Sequence, residues 1–147
     1  MKNIFKKLRY FFADKTVNAE ERESSISYLN SLSEYAYIQC DYFGQDNSTS
    51  CALGHLFRRR FGICSNNDLY RFFVKKNFCT VDDYAKFPGV LGTPKLFTLT
   101  KRNWQEADLY FRRKLGFTLQ ELFRIERWND RAIISAKASV IQGISDL

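Results

Sequence analysis

Seven glycines and two prolines are all that punctuate the 147 residues of this chain, where average usage would supply about 18. Tight hairpins and strand corners need residues that accept a positive φ or fix a turn. The shortage therefore excludes a turn-dense all-β design, and with it collagen-like and Pro-rich chains. Long helical runs with few stops remain. The length suits one domain, and 45% apolar residues can fill its core. The expectation is an all-α fold, a compact single-domain bundle of about six to seven helices, set by apolar residues recurring at helical spacing.

Hydrophobic periodicity divides the chain into a basic amphipathic segment, residues 1–18, and a helical domain, residues 19–147. In residues 2–13, Ile4, Phe5, Leu8, Phe11 and Phe12 fall on one side and Lys2, Lys6, Lys7 and Arg9 elsewhere. The favoured reading places the Phe-rich face in the core. The alternative is peripheral contact with a membrane surface or a partner groove. Asn18 and Glu21 have capping-box spacing and open a helix expected over residues 19–38. Residues 41–50 break it, and Ser50 is expected to cap a helix over 51–61 that Gly62 closes. Asn66 or Asn67 should cap the next helix, running to Lys76. Thr80 with Asp83 opens a short turn, and residues 88–94 read as a linker.

The last third contains a helix expected over 101–115 and closed by Gly116. A second helix starts at Thr118 with Glu121 three residues on and runs to about Trp128. Asn129-Asp130 should turn the chain, and Ile133, Val140, Ile141 and Ile144 should line a final helix. Asp-Leu-Tyr occurs at 68–70 and again at 108–110, which suggests two similar helical hairpins rather than a solenoid.

Twenty-three Lys and Arg against 16 Asp and Glu give a formal charge of +7, unevenly distributed. Residues 1–18 carry +4, 19–50 carry −5, 51–79 carry +5 and 101–131 carry +3. Arg58, Arg59, Arg71, Lys75, Lys76, Arg112 and Arg113 interleave with Tyr70, Phe72, Phe73 and Tyr110. Cations neutralise phosphates and exposed aromatics stack on bases, so this set is the candidate surface for nucleic acid, a nucleoprotein or an acidic protein.

Two further constellations could carry chemistry. Cys51 and His55 are one helical turn apart near a helix start, where the dipole can lower a thiol pKa and the imidazole can accept its proton. A small thiol enzyme is thus one alternative. Cys40, Cys51, His55 and Cys64 are ligand types for structural zinc, although their spacing lacks the paired knuckles of zinc modules. The favoured reading needs neither chemistry and no cofactor: Cys51 and Gly54 form a narrow strip against which another helix packs, and a buried His55 hydrogen-bonds. The opening residues lack the apolar stretch of a secretory signal, and no run approaches the length of a membrane span. Reduced thiols and a cytoplasmic location are expected.

Cys51-Ala52-Leu53-Gly54-His55, Leu115-Gly116-Phe117-Thr118, Leu122-Phe123 and Trp128-Asn129-Asp130 together resemble a loose family of small uncharacterised bacterial and phage helical proteins. Their shared pattern is C-x-x-G-H, then L-G-[LF]-T, then L-F and a terminal amphipathic helix. The resemblance covers residues 50–147 and implies a helical fold without assigning catalytic residues. The chain is accordingly read as a non-enzymatic binding or regulatory protein, such as a phage or mobile-element accessory or inhibitor, that engages its partner through the basic set.

Overall fold

The computed structural model describes residues 2–45, 48–85 and 95–147, and the linker read at 88–94 lies outside them. Among the described residues the fold is all-α, with no strand beyond two isolated bridges. The helices are α1 (Lys2–Phe12), α2 (Ala19–Ser31), α3 (Ala52–Phe61), α4 (Asn66–Lys75), α5 (Val81–Ala85), α6 (Leu96–Thr100), α7 (Trp104–Lys114), α8 (Leu119–Arg131) and α9 (Ala136–Ser145). These nine helices among the described residues exceed the six or seven expected, and short 3-10 turns at Glu34–Ala36 and Lys101–Asn103 add to them.

The core joins a cluster of aromatic rings to a larger set of leucines. Phe57, Phe73, Phe111 and Phe117 are fully buried with Leu29, Leu53, Leu69, Leu115 and Leu122. Phe57 meets Phe73 edge-on at 5.9 Å and Phe111 at 6.0 Å, which joins α3, α4 and α7 around one aromatic centre. Edge-to-face and tilted ring pairs of this kind each add about 0.5–1.5 kcal/mol beyond area burial.

Helix boundaries follow side chains that satisfy backbone groups at helix ends. The Asn18 side chain accepts from the Glu21 N–H at 3.2 Å, as its spacing predicts. Thr118 and Glu121 form the complete reciprocal capping box, and Thr80 and Asp83 exchange a similar pair of bonds at 2.9 and 3.1 Å. Helix α2 is shorter than its periodicity suggests. Leu32 turns to extended backbone, and the free Leu29 carbonyl instead accepts from the Tyr37 hydroxyl at 2.6 Å. Helix α3 begins after Cys51 rather than Ser50, because the Cys51 Sγ accepts the Gly54 N–H at 3.4 Å. Ser65, not Asn66 or Asn67, caps α4.

Helix α8 continues through the expected turn at Asn129-Asp130. Both residues spend their side chains on a distant loop instead of on their own backbone. Asn129 accepts from the Ala52 N–H at 3.0 Å and donates to the Ile38 carbonyl at 2.8 Å, while Asp130 accepts from the Cys40 N–H at 2.9 Å. These bonds fasten Ile38, Cys40 and Ala52 to α8. Ile133 and its neighbour Ile134 lie in the connection before α9, 98% exposed. Ile133 therefore does not line that helix, whose buried positions are Val140 and Ile144.

Two glycines permit close approaches. Gly116 has φ +78° and closes the connection after α7, where a Cβ would run into the Arg22 backbone of α2. At Gly54 a Cβ would collide with the Tyr42 carbonyl. The small-residue strip on α3 thus admits the 41–50 loop, not the second helix that sequence reasoning placed there.

The largest departure is α1. Its apolar residues do not complete the core: Phe11 is 72% and Phe12 78% exposed, with Ile4, Phe5 and Leu8 also open to solvent. The helix is held by its other side. The Tyr10 hydroxyl donates to Asp108 at 2.7 Å, and the Tyr10 ring meets Trp104 edge-on at 5.1 Å.

Candidate anion-binding cleft

The end of α4 and the start of α7 meet at a pair of asparagines. Asn77 adopts φ 63°, which stops α4 and lets the Phe78 N–H reach back to the Phe73 carbonyl at 2.9 Å. Its own carbonyl accepts from the Asn103 side-chain amide at 3.3 Å. Asn103 is buried, and its Oδ1 has no hydrogen-bond partner. A buried acceptor left unmet costs about 1–3 kcal/mol.

Around these asparagines lies a cleft of about 350 Å³, lined by Arg9, Lys76, Asn77, Asn103, Glu106, Tyr110 and Arg113 among others. Lys76 caps α4 and Arg113 ends α7, both favourable positions for cations on helix dipoles. Their charges converge on one ring, with the Lys76 ammonium 4.9 Å and the Arg113 guanidinium 5.8 Å from the Tyr110 centroid. Neither has a carboxylate partner among the described residues. Arg9 reaches the same cleft from α1 and pairs with Glu106. Burial raises the Tyr110 phenol above its ordinary pKa, which Arg60 and Arg113 partly offset, so the ring meets a ligand as a neutral hydroxyl donor.

The other basic positions are distributed elsewhere. Arg71 and Lys75 line a separate recess with Tyr70, Val74 and Val81, and Arg71 lies 3.6 Å from Asp68. Arg58 covers the Phe43 ring, and Arg59 covers Tyr28 while bonding to Ser24. Arg112 is an internal strut: its Nε donates to Asp108 at 2.7 Å and its Nη1 to the Lys15 carbonyl at 2.7 Å. Of the seven expected residues, Lys76 and Arg113 share the cleft. Arg9, Asn77 and Asn103 complete it without having been singled out by sequence. The signal for Asn77 was a polar residue after Lys-Lys at a helix end, a position where Asn accepts the left-handed conformation.

Burial opposes the activation that the thiol-enzyme alternative requires at Cys51. The thiol is inside the core, and loss of solvent pushes its pKa well above the ordinary value. His55 does not serve it: Nε2 lies 2.8 Å from the Ala36 carbonyl, which fixes the tautomer that donates there. Burial also lowers the imidazole pKa, keeping it neutral, and Nδ1 has no hydrogen-bond partner. The zinc set is not assembled either. Cys40 and Cys64 are exposed while Cys51 is buried, and among the described residues no three His, Cys, Asp or Glu side chains are grouped to hold a metal ion.

A second recess of about 440 Å³ lies over α8, lined by Cys40, Lys95, Phe97, Phe123, Glu126 and Asp130 among others. Its carboxylates already have partners. Glu126 accepts from the Tyr42 hydroxyl at 2.7 Å and the Leu96 N–H at 3.1 Å, and Asp130 pairs with Lys95. These groups hold the loop and α6 against α8. Comparison of the chain with family models, with curated proteins and with solved structures returns no match. Among the described residues, no helix is long and apolar enough to cross a membrane.

Proposed function

We propose that the protein is a non-enzymatic binding module that captures a single-stranded nucleic acid in the cleft between α4 and α7. The observation that carries this reading is the convergence of Lys76 and Arg113 on the Tyr110 ring. Two cations with no carboxylate partner among the described residues suit consecutive phosphates, and the neutral Tyr110 hydroxyl can donate to a phosphate or base oxygen. The cleft volume lies within the range of sites that enclose a nucleotide-sized group. Four free cysteines accord with a cytoplasmic setting.

Fluorescence anisotropy with a labelled single-stranded oligonucleotide at low salt tests the reading. Binding should weaken with added salt. Lys76→Ala and Arg113→Ala should each reduce the slope of log K against log salt by about 0.7, the value for one released counterion on a single strand. Absence of binding at low salt, or salt slopes unchanged in both variants, rejects the cleft as a nucleic-acid site.

A further inference from the structure

Helix α1 is attached to the body by its polar side. Tyr10 reaches Asp108 and Trp104, Arg9 pairs with Glu106, and just beyond the helix the Lys15 carbonyl accepts from Arg112 at 2.7 Å. These contacts fix which way the helix faces. On a wheel of about 100° per residue, Ile4, Leu8, Phe5, Phe11 and Phe12 occupy one arc of roughly 120°, opposite Tyr10. All five are exposed, from 49% at Leu8 to 78% at Phe12. Lys7 and Arg9 stand at the two edges of that arc, and the helix contains no acidic residue.

An apolar arc bordered by cations and turned outward matches a surface that is apolar beneath and anionic at its rim. A bilayer with acidic headgroups has that layering. Tyr10 and Arg9 prevent α1 from rolling its phenylalanines inward, and a helix of 11 residues lies flat along such a surface. We propose that α1 docks the protein on an anionic lipid surface. Ile4, Leu8, Phe11 and Phe12 enter the headgroup and upper acyl region, Lys7 sits over a lipid phosphate, and Arg9 keeps its pair with Glu106. The apolar arc and Lys7 lie outside the α4–α7 cleft, whose lining takes only Arg9 from this helix, so the inference does not rest on the nucleic-acid reading.

Co-sedimentation of the full chain with phosphatidylcholine vesicles, with and without phosphatidylglycerol, tests it. Binding is expected only to the vesicles that contain phosphatidylglycerol. The double variant Phe11→Glu, Phe12→Glu should lower partitioning by about tenfold or more, and Lys7→Ala by about fivefold, the share of one cation at an anionic surface. Both variants alter exposed side chains, so thermal unfolding should match the parent and separate lost docking from lost folding. Equal binding to neutral vesicles, or none to either kind, overturns the proposal. So does a dimer in light scattering that the double variant dissociates, because the apolar arc would then face a second copy. Vesicle binding that survives the double variant but is lost in Lys76→Ala, Arg113→Ala would instead assign the lipid contact to the cleft. Retained oligonucleotide binding in the double variant, with vesicle binding abolished, supports two separate surfaces.

Discussion

The tripeptide Asp-Leu-Tyr occurs on α4 and on α7, and the two copies have opposite roles. Asp108, on α7, is 3% exposed and accepts from the Tyr10 hydroxyl, the Arg112 guanidinium and the Leu119 N–H at 2.7, 2.7 and 2.9 Å. It joins α1, α7 and the first turn of α8. Asp68, on α4, faces solvent with one ion pair to Arg71 at 3.6 Å. The tyrosines are exchanged in the reverse sense. Tyr70 is buried, whereas Tyr110 is half-open and lines the cleft. Local sequence places each Asp in the first half of a helix. Which one becomes structural depends on what the rest of the chain brings to it.

Asp108→Ala gives the largest expected break in that contrast. It leaves Arg112 and the Leu119 N–H without their acceptor, and should cost about 3–5 kcal/mol, the range for removing one partner from a buried charged pair. Urea unfolding measures it, and a loss under about 1 kcal/mol would mean that the three bonds contribute no more than an exposed pair.

A smaller effect concerns the buried carboxylate of Glu126. Burial holds its pKa above the ordinary glutamate value of 4.5, with Tyr42, Leu96 and Lys95 pulling the other way. The folded state therefore keeps this proton more tightly than the unfolded chain. The stabilisation is complete below the unfolded value and is lost as pH rises through the higher folded one. Subtracting the stability of Glu126→Gln from that of the parent at each pH isolates the trend, which should fall with rising pH. A difference that instead rises with pH would place this acid among those that the fold prefers ionised.

Asp68→Ala is the smallest expected effect, within about 0.5 kcal/mol in the same urea experiment, because exposed ion pairs contribute little. A loss comparable to that of Asp108 would end the contrast between the two tripeptides.

Much of the secondary structure was legible from short-range chemistry. The Asn18, Thr80 and Thr118 caps and the Gly62 and Gly116 stops involve atoms within one or two turns, and local spacing reveals them. The candidate cleft was half legible. Lys76 and Arg113 stood out as charges beside aromatics, but Asn103 acquires its unmet acceptor only when α7 meets the end of α4. Arg112 shows the converse, because its position in a basic run gives no sign that Asp108 and the Lys15 carbonyl hold it.

Sequence by itself determined that the chain is helical, that α2, α5 and α8 open at Asn18, Thr80 and Thr118, and that α1 is amphipathic and basic, since these depend on turn chemistry and a period of about 3.6 residues. Tertiary structure alone decided which faces meet. Asn129 and Asp130 look like a turn until a loop 90 residues away in sequence supplies their partners. The α1 phenylalanines look like core until Tyr10 finds Asp108, 98 residues distant. The physical reason is common to both. A hydrogen bond within one helical turn is fixed by spacing, whereas a bond between distant segments forms only where the packed core brings donor and acceptor together.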